Sequence, residues 1–482
     1  MNFTGFNGSR PMPFFKKIFF CLVLLVLPGL CLTFFVEQHP AWAQNYLNSP
    51  LKTKQTKSAN EKSKTIKNAK SKSKQTQSSN TIKNKAPIFS QYPVGFASLG
   101  KYHSLVIDGD STLWVMGNNE YGQLGKGGLP AIVRPEKLLP QVTEALAKSQ
   151  HSFAITEDGT LWSFGQNNHG QLGDGSTNTR FTPRPVLTRI TAVAASENHT
   201  LALDESGFVW AFGDNTFGQL GNGSTLPSSV PVKIMGNANA IVAGPSFSLV
   251  IGRENTLWTF GNNARGQTGS AATKSAEDNL RPKPVLSKVL KAVAGEAHVL
   301  ALRSDDSVWV FGDNSLGQVG DGSYALRLSP MAVMQNVSDI AAGKTHSLVL
   351  KSDGTLWGFG DNRAGQLGQG NTQSSPKPVL LLRDIQSISA GETCTLAIAK
   401  NGDLWFCGAL APFAYNDSPN LTAKRPLKIA EAAELAIAGE SGLLIIKRNS
   451  ALWGVGDNTF GQLGLKNLGP APLPQPANFQ AP

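Results

Sequence analysis

VWAFGDNTFGQLGNG, residues 209–223, holds one Trp and four Gly, and nearly the same phrase returns along the chain. It reads GNNEYGQLG at 117–125, GDNSLGQVG at 312–320, GDNRAGQLG at 360–368 and GDNTFGQLG at 456–464. Eight Trp keep time with it: Trp114, Trp162, Trp210, Trp258, Trp309, Trp357, Trp405 and Trp453, spaced 48, 48, 48, 51, 48, 48 and 48 residues apart. A fixed period of this length marks one supersecondary unit copied and stacked, because a single copy cannot bury its own apolar face.

Each period holds four short segments bounded by turn residues, represented by AAGKTHSLVL (341–350), TLWGFG (355–360), SPKPVLL (375–381) and DIQSIS (384–389). The first two are rich in β-branched and apolar residues and are joined by Asp158-Gly159, Asp353-Gly354 or Asn401-Gly402, which predicts two-residue hairpin turns. The third carries Pro, which restricts it to a sheet edge or strand start. Four antiparallel strands per period with no helical pattern between them predict an all-β fold, a β-propeller of eight four-stranded blades, with seven as the alternative. The Trp is expected to supply the area that holds each blade to the next. Gly165, Gly213, Gly261, Gly312, Gly360 and Gly456 are expected at positive φ, and the Asn two positions on is expected to close an Asx turn. Ring closure is expected to pair YPVGFAS (92–98) with strands of the final repeat.

These phrases, with AGKTHSL (342–348) upstream, resemble the regulator of chromosome condensation repeat over roughly residues 92–470. The resemblance implies a propeller, usually of seven blades, and guanine nucleotide exchange on a small nuclear GTPase through a protruding β-wedge. The spacing opposes that activity. The three extra residues near TGSAATKSAEDNLRPKP (268–284) are too few for such a wedge, and no position matches the exchange residues. The seventh period departs from the pattern, with FCGALAPFAYNDSPN (406–420) in place of the refrain, so a different loop is expected there.

The chemistry-bearing residues read as scaffold. His103, His151, His199, His298 and His346 recur once per period, where the other periods have Phe247, Cys394 and Gly442. Residues on different blades do not converge as a metal or acid/base site requires. Each His is therefore expected to bond local backbone. Asp214, Asp313, Asp361 and Asp457 are single carboxylates expected to cap turns. No nucleophile elbow, zinc spacing or phosphate loop leading into a helix is present. The expectation is a non-enzyme with no cofactor, no metal and no small-molecule substrate.

Charge divides the 482 residues into regions. Residues 51–85 carry eleven Lys against Glu61, whereas residues 86–482 are nearly neutral despite a whole-chain charge of +11. A basic surface confined to a tail argues against nucleic-acid binding by the folded body. Residues 1–43 read as a signal peptide, with Arg10, Lys16 and Lys17 before the apolar run 18–36 and Ala41-Trp42-Ala43 before Gln44. Cleavage is expected between Ala43 and Gln44. A membrane anchor at 18–36 is the alternative, because the run approaches spanning length. Residues 44–87 read as a disordered linker, leaving 88–482 as the propeller. The expected location is secreted, periplasmic or cell-envelope associated. Cys394 and Cys407 read as two buried free thiols, since diagonal hairpin neighbours lie too far apart to bridge.

Purpose should reside where the refrain varies. The residue before its second Gly is Tyr121, His169, Phe217, Arg265, Leu316, Ala364 or Phe460. Tyr121, Phe217 and Phe460 are candidate anchors for an unidentified protein partner, and Phe413 and Tyr415 in the seventh period form a second candidate patch. Packing of these rings under neighbouring loops is the competing reading. The resemblance adds a precedent, because secreted bacterial relatives include propellers that cover an enzyme's active site. An anionic envelope surface touched by residues 51–85 is a second partner to consider, which would make the chain an envelope-tethered structural protein.

Overall fold

The computed structural model describes residues 94–271, 279–410 and 421–477. The first blade comprises β1 (Val94–Leu99), β2 (His103–Asp108), β3 (Leu113–Asn118) and β4 (Ala131–Leu139), hydrogen-bonded in that order from the inside outward. Seven further sheets repeat this antiparallel order, the second from Val142 to Leu187 and the eighth from Ala433 to Pro476. The eight-bladed propeller expected from the Trp spacing is present. Every outermost strand contains Pro, from Pro135 in the first blade to Pro472, Pro474 and Pro476 in the last. A residue without an amide donor blunts an exposed sheet edge against further pairing.

Ring closure differs from expectation. β1 pairs with β2 of its own blade, with Phe96 opposite Ile107 and Ala97 opposite Val106, and among the described residues no strand is exchanged with the last blade. Side-chain packing closes the ring instead. Val94, Val106 and Met116 share a cluster with Leu444, Leu452 and Leu463, and the Val94 amide donates to the Ser450 carbonyl at 3.2 Å. A four-stranded first blade is already complete, so closure needs only the contact every other pair of blades makes.

That contact is built from Phe as well as the expected Trp: Trp114 belongs to the cluster joining the last blade to the first, and Trp162, Trp210, Trp258, Trp405 and Trp453 pack against clusters shared with the preceding blade. Phe164, Phe212, Phe260, Phe311 and Phe359, two residues after the Trp, are wholly buried, whereas seven of the eight Trp are only half-buried. The last Gly of each refrain lies against the next blade's Phe. A Cβ at Gly221 would stand 2.7 Å from the Phe260 ring, and one at Gly173 would stand 2.8 Å from Phe212. Met116 and Cys407 fill the same place opposite Gly464 and Gly368. The Trp also locks its own hairpin: the indole N–H of Trp114 donates to Asp108 at 2.7 Å, that of Trp210 to Asp204 at 3.1 Å and that of Trp357 to Thr355 at 2.9 Å.

The hairpin turns are one residue longer than predicted. In the second blade the Gly159 amide donates to the Thr156 carbonyl, and Gly159 has φ 77 while Asp158 stays at negative φ. A single left-handed residue after such a bond is a type I turn with a bulge, not the two-residue mirror turn. The strand-ending Gly213 has φ 108, as expected, and a Cβ there would meet the His199 Cα at 2.8 Å.

Candidate recognition face

Alternating strand directions put the first-to-second turns and the third-to-fourth loops, which carry the refrain, on one face of the ring. The Asp214 amide donates to the Asn198 carbonyl at 2.8 Å, tying these two connections together within the third blade. The remaining turns form the opposite face. The chain enters there, since Val94 bonds Ser450, a residue of the last blade's second-to-third turn.

Each refrain is a heavily bonded cassette. In the third blade Asp214 accepts from the Thr216 amide at 3.1 Å. Burial opposes its charge, but hydrogen bonds from Thr216 and Gln219 hold the carboxyl below its ordinary range. Gln219 accepts from the Phe217 amide at 2.9 Å and donates to Asp214 at 2.7 Å. Asn215 accepts from the Leu220 amide and donates to the Ser224 and Leu226 carbonyls, each at 2.9 Å. The Asp therefore makes the Asx turn, while the Asn spans five residues forward. The same Gln bond fixes the amides of Tyr121, His169, Arg265, Leu316, Ala364 and Phe460. All seven variable side chains leave the face from equivalent, rigid positions.

Phe217 is 49% exposed, Tyr121 and Phe460 are half-buried, and the Phe460 ring lies 5.6 Å from that of Tyr102 in the first blade. Phe460 thus partly packs under a neighbouring loop, whereas Phe217 stands free. Phe413, Tyr415, Ala43 and Gln44 lie outside the described residues, as do the leader and linker.

Sequence reasoning missed the second half of the face. The outermost strand of each blade crosses beneath the preceding refrain. A Cβ at Gly122 would stand 2.8 Å from the Phe181 Cα, and one at Gly365 would stand 2.8 Å from the Lys424 Cα. Each variable residue therefore has a neighbour from the next blade. Their signal was the fixed register of the outer-strand Pro, which marks the residues just before it. Of the fourteen exposed large apolar side chains among the described residues, Leu129, Val133, Phe181, Phe217, Leu226, Val230, Leu468 and Leu473 lie on the third-to-fourth loops and outer strands of blades eight, one, two and three. Tyr324, Leu326 and Met331 on blade five and Leu427 on blade seven occupy the same kinds of position elsewhere, and Phe208 and Leu290 lie outside these elements. Over blades four to seven the corresponding positions include Arg265, Arg363, Lys377, Lys424 and Arg425.

The recurrent His are wholly buried; His103, His199, His298 and His346 bond a hydroxyl of the next blade rather than local backbone, and His151 has no hydrogen-bond partner on either ring nitrogen among the described residues. His199 Nε2 lies 2.9 Å from Ser248 Oγ, and Ser248 donates to the Gln219 carbonyl at 2.7 Å. The single hydroxyl proton is thereby used, so Nε2 carries hydrogen and donates. His103–Ser152 and His298–Ser347 repeat the arrangement. Burial pulls His103 and His151 down to about 3, and His199, His298 and His346 down to about 4, so all five are neutral at pH 7. At two of the three positions where the His is replaced its partner changes with it, Phe247 clustering with Val299 and Cys394 with Leu443, whereas opposite Gly442 the hydroxyl of Ser104 is kept. The two thiols are free and buried, and burial pushes both up to about 12, which leaves them unreactive. Among the described residues no three His, Cys, Asp or Glu are grouped to hold a metal.

The fold and its refrain define a β-propeller whose loops, rather than a pocket of catalytic groups, carry the variation. The chain belongs to the RCC1-like domain family, whose model matches residues 64–285 and 187–414. Similar solved structures include the yeast RCC1 protein Prp20 in complex with Kap60, 22% identical over 78% of this chain and 94% of that one, with a TM-score of 0.55. Saccharomyces cerevisiae Prp20p, described with its binding to Gsp1p and histones, is 24% identical over 71% and 88%, TM-score 0.54. Human WBSCR16 is 22% identical over 62% and 84%, TM-score 0.52. At these identities the likeness speaks for the fold alone. No curated protein matches the chain.

Proposed function

We propose that the protein is a non-enzymatic binding module that recognises a protein partner through the loop face of blades eight, one, two and three. The observation that carries this reading is that, against Tyr324, Leu326 and Met331 on blade five and Leu427 on blade seven, eight of the fourteen exposed large apolar side chains stand on the third-to-fourth loops and outer strands of that arc. They stand on backbone already fixed by hydrogen bonds, so binding costs little ordering entropy. Phe217 and Phe181, 49% and 40% exposed, are the anchors, because exposed aromatics beside a rigid frame dominate interface energetics. Export by residues 1–43 and attachment through residues 51–85 belong to the same proposal. A stem joining at Val94 enters on the opposite face, which would leave the loop face directed away from an envelope surface.

Replacing Phe217 and Phe181 with Ala tests the anchors. Each should weaken partner capture by about tenfold or more while leaving thermal unfolding of the ring unchanged, since neither side chain is in the core. Capture equal to the parent's would remove this arc as the binding surface. Nucleotide exchange, implied by the family resemblance, has no residue here to carry it.

A further inference from the structure

We infer that the cleft between the third and fourth blades binds a small ring-bearing carboxylate, with the ring on Trp258 and the acid on Arg253 or Arg281. This site is separate from the loop-face anchors and does not depend on the protein-binding reading. The cleft has a volume of about 630 Å³, within the range of small-molecule sites. Ile234, Met235 and Asn237 of the third blade form one wall, and Trp258 and Thr256 of the fourth form the other.

Trp258 differs from five of its seven counterparts, whose indole N–H groups are bound, while Trp405 and Trp453 resemble it in having no indole acceptor among the described residues. The indole N–H groups of Trp114, Trp162 and Trp210 are bound by Asp108, Thr156 and Asp204, and those of Trp309 and Trp357 by Ser307 and Thr355. Gly252 stands where Asp108, Thr156 and Asp204 stand, and Thr256 makes no such bond, so the Trp258 N–H has no acceptor among the described residues. Cations cover other indole faces: Lys137 over Trp114, Lys233 over Trp210, Arg303 over Trp309 and Lys447 over Trp453. At Trp258 the strand partner is Pro284 instead, leaving its face without a cation.

Two guanidinium groups line the same cleft, together with one carboxylate, Glu254. Arg253 donates to the Ser206 carbonyl at 3.1 Å and lies against Gly207. Arg281 lies against Gly223 and has no hydrogen bond or ion pair among the described residues. Gly at both places leaves room for the arginines to lie flat against the third blade. A ring with a carboxylate suits these features: the ring face packs on the indole, and the carboxylate takes a two-pronged guanidinium contact.

Titration calorimetry of the parent protein with glucuronate and with benzoate tests the site, with glucose, benzyl alcohol and inorganic phosphate as counterparts lacking the acid or the ring. At least one acid should saturate at one per chain, about tenfold tighter than its neutral counterpart and than phosphate. Glucuronate alone would mark a sugar acid, and benzoate alone an aromatic one. Arg281→Gln or Arg253→Gln should lose about tenfold in affinity, and Trp309→Phe should lose nothing. The Trp258 indole resonance, assigned by its disappearance in Trp258→Phe, should shift on titration of the parent, a readout that needs no variant to bind. The proposal is overturned if neither acid saturates at millimolar concentration, if phosphate binds as well as the acids, or if both Arg variants bind like the parent.

Discussion

Single residues carry more of the inter-blade bonding than their spacing reveals. His199 and Ser248 form one buried hydrogen-bonded pair, and the chain itself supplies the apolar alternative in Phe247 and Val299. His199→Phe or Ser248→Val alone should cost about 1–3 kcal/mol in chemical denaturation, because each disrupts a bonded buried pair. The double variant should cost less than the sum of the two; strict additivity would show that the pair does not act as a unit. The same His set a pH dependence. Their folded values of about 3 to 4 lie below the unfolded 6.5, so the unfolded chain binds more protons between those limits, and stability should fall as pH drops from 6.5 toward 4. Glu144 acts oppositely: burial raises its carboxyl from 4.5 to about 8, so its contribution is full at low pH and is lost as pH rises from 4.5 through 8. Urea unfolding from pH 4 to 8 should show the acid-side loss in the parent. Glu144→Gln should gain on the parent progressively above pH 4.5, and parallel curves would contradict the assignment.

At the level of strands and loops, the refrain was legible wherever one residue type has one use. Gly at positive φ, Pro on the outer strand and Asp at the turn were readable because each states a backbone or edge requirement by itself. The Trp was read in part: it packs between blades as its size suggests, but its N–H needs a polar partner and draws it to the half-exposed hairpin end. Phe, with no such need, took the interior. The His partner was unreadable because it lies about one period away, and nothing local distinguishes a bond to backbone from one to the next blade. The hairpin turns were misjudged by one residue because Asp-Gly suits both the mirror turn and the bulged type I turn. Half of the recognition face was missed for a related reason: Phe181 and Val133 belong to strands that seem, within one blade, merely peripheral.

Across the whole ring, eight equal contacts leave the architecture indifferent to which blade carries function, so function must be found in asymmetry. Eight of the fourteen exposed large apolar side chains lie on the third-to-fourth loops and outer strands of blades eight, one, two and three, while the Trp258 indole borders the cleft at the junction of blades three and four. The cation positions over blades four to seven give the same face a second character, suited to selecting against wrong partners by charge. The direct test is site-specific photo-crosslinking of the full chain in its native setting, with the reactive residue placed in turn at Phe217, Phe181, Ala364 and the opposite-face Glu205. One partner should be captured from Phe217 and Phe181 and not from Ala364 or Glu205. Capture of that partner chiefly from Glu205, or equally from all four positions, would contradict the account.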